Sequence, residues 1–248
     1  MLLARAELLQ QGMRDAEMRA GLAGKRVAFI WDGEGFRNRA AFDLGVQLLG
    51  GVGVEIPVRL GVGEAIEDVA HYLDNWFDAA VIRTPRFETL TRFADAAAGP
   101  VINARTDHNH PCEILGDLAF IRATGRCLDG LRVLFVGEAT NLCHSWCEAA
   151  AVLPIAVTQV CPAGFEASGA WWRQLVPQPA GRFEHSDELD RVMSHADVVY
   201  TDRWPQRSDG AEREAVEESF APFQVTAELL SLAPPEALFL PLSAGYPR

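Results

Sequence analysis

One unit recurs along this chain: a short apolar run, a turn carrying polar residues, then a helical pattern. The runs fall at residues 24–31, 52–58, 77–84, 100–103, 131–136, 155–160 and 196–201. Helical patterns follow at 40–49, 66–75, 88–98, 112–123, 142–153 and, near the end, 227–232. Strands alternating with helices over short loops bury their apolar surface as parallel sheets covered on both faces. Such sheets take ligands at the carboxyl ends of their strands, where this sequence collects its polar residues. A chain of 248 residues is long enough for one large or two medium domains of this kind. Residues 1–19 read as a charged surface helix, and residues 167–190, rich in Trp and Pro, resist placement.

Charge and cysteine usage narrow the function classes. A net charge of −12 argues against a nucleic-acid or anionic-membrane surface. It leaves room for an anionic substrate, because a few local Arg residues make a positive pocket. No run approaches the roughly 18 apolar residues of a membrane span, and the start does not read as a signal peptide. Five cysteines, an odd number, point to free thiols and a cytoplasmic location. Cys143 and Cys147 stand four apart on a helical pattern, which predicts a shared buried face; with His144 they also suggest metal. Asp107-His108-Asn109-His110 superficially resembles a metal-nuclease motif, but no second ligand cluster accompanies it. Neither a metal nor another cofactor is expected.

Three stretches carry candidate chemistry. In Asp107-His108-Asn109-His110-Pro111-Cys112-Glu113, His110 and Glu113 are three apart at a helix start and point into the same space. The unpaired N–H groups there suit an oxyanion, although a plain polar helix start reads the same way. In Asp32-Gly33-Glu34-Gly35-Phe36-Arg37-Asn38-Arg39, a strand, a Gly-bearing turn and two Arg residues make a phosphate cradle; an ordinary strand-to-helix turn is the alternative. Arg83-Thr84 closes the third strand. For residues 131–160 a dinucleotide-binding reading is the runner-up, without the G-x-G-x-x-G that would support it.

These stretches together resemble the aspartate and ornithine carbamoyltransferases. His110-Pro111-Cys112-Glu113 is similar to the family's His-Pro-x-Gln, with Glu113 in place of Gln. Gly35 to Arg39 aligns with Ser-Thr-Arg-Thr-Arg, keeping Arg37 and Arg39 and replacing three hydroxyl residues by Gly35, Phe36 and Asn38. Arg83 matches the Arg that holds the carbamoyl oxygen and phosphate, and Arg59 falls in the loop that reaches a neighbouring subunit's active site. Gly137-Glu138-Ala139-Thr140-Asn141 resembles Gly-Asp-x-x-Asn, whose Asn binds the amino acid. Pro162 to Glu166 resembles a structural Pro-x-Gly-Tyr/Phe-Glu turn. Residues 196–204 resemble Asp-Val-Val-Tyr-Thr-Asp-x-Trp, so Asp202 matches the carboxylate that orients the amine. Gln206 and Arg207 replace a Ser-Met-Gly loop. Leu238-Phe239-Leu240-Pro241 stands at the His-Cys-Leu-Pro strand end, and the family continues with two further helices.

The resemblance implies two doubly wound parallel-sheet α/β domains with the active site in the cleft between them. It divides the chain into a carbamoyl-phosphate domain (1–123), an amino-acid domain (124–236) and a shortened terminal segment (237–248). It implies transfer of a carbamoyl group from carbamoyl phosphate to an ornithine-like amine, in a homotrimer with a shared site. Gly35, Phe36, Arg37, Asn38, Arg59, Arg83, His110 and Glu113 then surround carbamoyl phosphate, with Arg37, Arg83 and His110 catalytic. Asn141, Asp202, Gln206, Arg207, Phe239 and Leu240 surround the acceptor. The alternative is an inactive paralogue that serves as a binding or partner subunit.

Overall fold

The computed structural model describes residues 1–15, 20–33, 35–205 and 210–242. Two compact units divide the chain, residues 1–124 and 125–248. The first runs α1 (Leu2–Arg14), β1 (Arg26–Trp31), α2 (Phe36–Leu48), β2 (Val52–Glu55), α3 (Ile66–Asp74), β3 (Ala79–Arg83), α4 (Phe87–Ala96), β4 (Val101–Arg105) and α5 (Pro111–Ala123). Its four strands form a parallel sheet ordered β2-β1-β3-β4. The chain steps outward from β1 to β2, then returns to the other side of β1. The topological switch point therefore lies between the carboxyl ends of β1 and β3.

Burial on both faces explains why β1 and β3 read as continuous apolar runs. Ala28, Ile30, Ala80 and Ile82 pack against Val69, Leu73, Leu90 and Phe93 of α3 and α4. Val27, Phe29, Trp31, Val81 and Ala104 face the other way, with Val46 of α2. Two boundaries differ most from the sequence expectation. β2 stops at Glu55 instead of running to residue 58, because Pro57 has no N–H to continue the ladder and Val58 N–H turns back to Ile56 O at 2.8 Å. Helix α2 begins at Phe36, four residues early, behind a glycine N-cap at Gly35.

The second unit runs β5 (Arg132–Val136), α6 (Asn141–Val152), β6 (Ala156–Val160), α7 (Gly169–Leu175), β7 (Arg182–His185), α8 (Leu189–Met193), β8 (Val198–Thr201), α9 (Gly210–Phe220), a 3-10 turn (Ala221–Phe223), α10 (Ala227–Leu230) and β9 (Leu238–Pro241). Its five parallel strands are ordered β7-β6-β5-β8-β9, so the switch point lies between β5 and β8. The stretch that resisted placement holds α7, β7 and the start of α8. Helix α6 is buried over most of its surface, and Cys143 and Cys147 are both fully buried on it, as their spacing predicts. No helix among the described residues is long and apolar enough to cross a membrane.

Candidate functional site

The first unit gathers its candidates at the switch point. Arg83 ends β3, and its Nη1 donates to Asn38 Oδ1 in the first turn of α2 at 2.8 Å. The Asn38 amide nitrogen lies 3.4 Å from His110 Nε2. A Cβ on Gly35 would stand 2.8 Å from Arg83 Cζ and Nε, so only glycine lets the turn approach the guanidinium this closely. The φ of +150° at Gly35 adds a second reason. Burial lowers the Arg83 pKa, the charges of Arg105 and then Arg37 lower it further, and Glu113 and Asp107 oppose them. The group remains a cation, crowded by other cations.

His110 is the N-cap of α5 and is 6% exposed; Pro111 occupies the first helical position, where its missing N–H is harmless. Its Nδ1 lies 3.2 Å from Glu113 Oε2. The hydrogen bond to His110 holds the Glu113 carboxyl below its ordinary range, with Arg37 and Arg83 contributing. Glu113 is therefore ionised and paired. At Cys112 burial, then the charge of Glu113, pushes the thiol up, away from the thiolate, and its Sγ donates to Asn103 O at 3.3 Å. Asn109 is buried and structural, receiving bonds from Asn103 Nδ2 at 2.6 Å and Thr106 Oγ1 at 3.0 Å. The His108 ring lies against Phe87, 5.0 Å between centroids, and burial lowers its pKa.

Other predicted residues are placed less centrally. Phe36 is 78% exposed, so its ring does not fill the space beside Arg83. Arg37 sits one position on, close enough to act electrostatically on both Arg83 and Glu113. Arg39 is paired with Glu55 at 3.2 Å. Arg59 Nε lies 3.6 Å from Asp32 Oδ1 at the end of β1, with most of its side chain exposed.

A cavity of ≈ 220 Å³ opens above the ends of β1, β3 and β4, lined by Asp32, Gly33, Arg83, Thr84, Pro85, Arg105, Thr106 and Asp107. Backbone bonds continue past the ladder here, from Asp32 N–H to Arg83 O at 2.8 Å and from Thr84 N–H to Arg105 O at 3.1 Å. Sequence reasoning missed Arg105, having ended the fourth strand at residue 103. The available signal was the repeated dipeptide: Arg83-Thr84 closes β3 and Arg105-Thr106 closes β4.

In the second unit, Asn141 is the first residue of α6, directly above the end of β5. Asp202 follows β8 on the other side of the switch point; its Oδ1 accepts from Arg203 N–H at 2.7 Å. Its charge reaches the buried Cys143 thiol, whose pKa is raised chiefly by burial. Buried Gln159 braces the turn after β5, donating to Gly137 O at 2.9 Å and Phe165 O at 3.2 Å and accepting from Ala167 N–H at 2.8 Å. The turn at Pro162 to Glu166 is thus a structural brace. Phe239 and Leu240 lie on edge strand β9, in register with Val199 and Tyr200. Gln206 and Arg207 lie outside the described residues. No group of three or more His, Cys, Asp or Glu among the described residues has the arrangement of a metal site.

The chain matches two sequence profiles in succession. "Aspartate/ornithine carbamoyltransferase, carbamoyl-P binding domain" covers residues 1–123, and "Aspartate/ornithine carbamoyltransferase, Asp/Orn binding domain" covers residues 129–242. It is 37% identical over 221 residues to an ornithine carbamoyltransferase of Chlorobaculum tepidum, over 87% of this chain but 65% of that protein. Against an ornithine carbamoyltransferase of Halorhodospira halophila it is 34% identical over 96% of its own length and 79% of the relative's. The fold superposes on the anabolic ornithine carbamoyltransferase from Campylobacter jejuni with a TM-score of 0.87 at 26% identity, covering 99% of this chain and 83% of that one. The Pyrococcus furiosus ornithine carbamoyltransferase gives 0.87 at 28% identity, covering 98% and 80%.

Proposed function

We propose that this chain, which belongs to the aspartate/ornithine carbamoyltransferase family, transfers the carbamoyl group of carbamoyl phosphate to the amine of an ornithine-like acceptor. The observation that carries the reading is the hydrogen-bonded line Arg83–Asn38–His110 at the switch point of the first sheet. It joins a strand end, a helix start and a helix N-cap, so a guanidinium and an imidazole are held ready for an anion before it arrives.

In the reaction a neutral amine attacks the carbonyl carbon; the new C–N bond forms, the C–O bond to phosphate breaks, and the proton lost by the amine is taken up by the departing phosphate. Protein groups have little covalent work here. Arg83 and Arg37 neutralise the departing phosphate, and His110 serves the carbonyl oxygen. Gly35 lets the α2 turn close on Arg83, and Asn38 fixes the direction of its guanidinium. Glu113 takes the place of an amide and is held by the contact of its Oε2 with His110 Nδ1 at 3.2 Å. Arg59 adds a further cation beside Asp32. Asn141, Asp202, Gln206, Arg207, Phe239 and Leu240 are assigned to the acceptor, with Asp202 orienting its amine. We place the assembly as a homotrimer in the cytoplasm. The support is exposed apolar surface at Leu44 and Leu48 of α2 and Val52 and Val54 of edge strand β2, together with five free cysteines.

The ionised Glu113 favours the second reading, an inactive paralogue that binds without turnover, because its charge opposes a dianionic phosphate. One screen decides between them: phosphate release from carbamoyl phosphate over a panel of amino acids and amines. Release above the protein-free blank with one amine, abolished in Arg83→Ala, is the expected result. Release equal to the blank with every amine overturns catalysis.

A further inference from the structure

The pairing of β3 with β4 is irregular at one point. Ala80, Val81 and Ile82 pair in order with Val101, Ile102 and Asn103, but the next pair is Arg83 with Arg105, and Ala104 is passed over. A bulge of this kind turns every later side chain of its strand to the opposite face. In an unbroken ladder Arg105 would project away from Arg83. With the bulge, two arginines stand side by side at the carboxyl ends of neighbouring parallel strands, and both line the ≈ 220 Å³ cavity. Ala104, the skipped residue, is fully buried, so the bulge is locked by packing against Val27, Phe29 and Val81.

Like charges set next to one another repel unless an anion joins them. Arg105 is half-buried, and its side chain forms no hydrogen bond or ion pair among the described residues. Its charge falls on Arg83 and depresses that group, second only to burial. Two carboxylates also line the cavity, but Asp32 is engaged by Arg59 at 3.6 Å and Asp107 is exposed to solvent, where its field is screened. The α2 turn has few donors of its own, with Gly35 and Phe36 where side-chain hydroxyls stand in the family.

We infer that Arg105 is a phosphate-binding residue, holding phosphoryl oxygens jointly with Arg83 in the bulge-built cavity and taking over donors that the α2 turn lacks. The naming of carbamoyl phosphate as its ligand rests on the function proposed above; the binding of a phosphate dianion does not.

The test is calorimetric titration of the whole protein with inorganic phosphate and, separately, carbamoyl phosphate at fixed ionic strength. Arg105→Gln and Arg105→Lys are compared with the unaltered chain, and Arg86→Ala, which loses an exposed contact to Glu88, serves as the control. Losing one charge-assisted contact predicts affinity for both ligands weakened roughly tenfold to hundredfold in Arg105→Gln. Arg105→Lys regains part of it, and Arg86→Ala stays within about twofold of the unaltered chain. Circular dichroism confirms that the variants are folded; if Arg105→Gln does not fold, the Arg105→Lys deficit decides. Affinity unchanged in the folded Arg105 variants, or absence of phosphate binding by the unaltered protein, overturns the assignment. Arg105-dependent phosphate binding without turnover on any amine sinks carbamoyl transfer and leaves the phosphate site standing. Turnover that is indifferent to Arg105→Gln does the reverse.

Discussion

Asp78 in the first unit and Asp197 in the second occupy the same place in their sheets. Each stands one residue ahead of a strand, β3 or β8, and reaches across to the first residue of its neighbour, β1 or β5. Asp78 accepts the Arg26 backbone N–H at 2.8 Å and Lys25 Nζ at 2.9 Å. Asp197 accepts the Arg132 N–H at 2.8 Å and grips its guanidinium at 3.0 and 2.7 Å. At the opposite ends of the same strands the likeness stops. The β1/β3 ends carry Arg83, with Arg37, Arg105 and His110 around it; the β5/β8 ends carry Asn141, Asp202 and a turn braced by Gln159. The amino ends solve one folding problem twice, whereas the carboxyl ends carry different side chains on ladders of the same kind. The covering helices differ too: α2 buries Val46 alone, whereas α6 buries eight residues. The first unit gathers cations at its β1/β3 ends, and the second buries the helix beside its β5 end more deeply.

Several substitutions press on that contrast. The largest effect belongs to the buried helix α6: Trp146→Ala, which empties a fully buried position against Tyr200, should cost about 3–5 kcal/mol, read by denaturant unfolding. A loss below about 1 kcal/mol means that α6 is not the keystone of its unit. Next comes the cationic end: Arg83→Ala should lower kcat/KM on the order of 100- to 1000-fold while leaving the fold intact. Equal activity in that variant removes the distinction between the two ends. Gly35→Ala forces the turn off Arg83, and a misplacement of this size should weaken carbamoyl phosphate binding roughly tenfold to hundredfold in calorimetry.

The amino-end clamps give smaller effects with a pH signature. The Asp197 carboxyl is held below its ordinary value, first by the Arg132 side chain. A lowered folded pKa stabilises fully above the ordinary carboxylate range, and that stability is lost as pH falls through the folded value. Asp197→Asn should therefore cost about 1–2 kcal/mol at neutral pH and flatten the acid fall in Tm. Asp78→Asn should flatten it in the same direction, since its carboxyl is lowered mainly by the Arg26 backbone N–H. A Tm profile in acid identical to the unaltered chain for both variants would show the clamps to be ornamental. The smallest effect is Phe36→Ser: an exposed ring should change carbamoyl phosphate affinity by less than about twofold, and a larger change would bring Phe36 into the site.

Much of this was legible in the residues. The apolar runs announced seven strands of the two sheets, and Arg83, His110 and Glu113 were readable from their positions at strand and helix ends. Strand β7 was not, because it is an edge strand of four residues without the alternation that marks a half-buried strand. Helices α7 and α8, of seven and five residues, are too short to show a helical period. Helix α9 went unread because it is charged over most of its surface and buries only Val216 and Phe220.

The linear order of residue types was enough to settle which segments are strands, which ends bear polar groups and which family the chain resembles, since those properties depend on neighbours within a few positions. Three-dimensional packing alone decided that Glu113 sits ionised against His110, that the Phe36 ring points into solvent, and that Arg105 stands beside Arg83. Arg37 and Arg83, distant in the chain, help to hold the Glu113 charge, and Arg105 is placed by a one-residue slip in a ladder. Such a slip is settled by how Ala104 packs, not by any preference of the residues beside it.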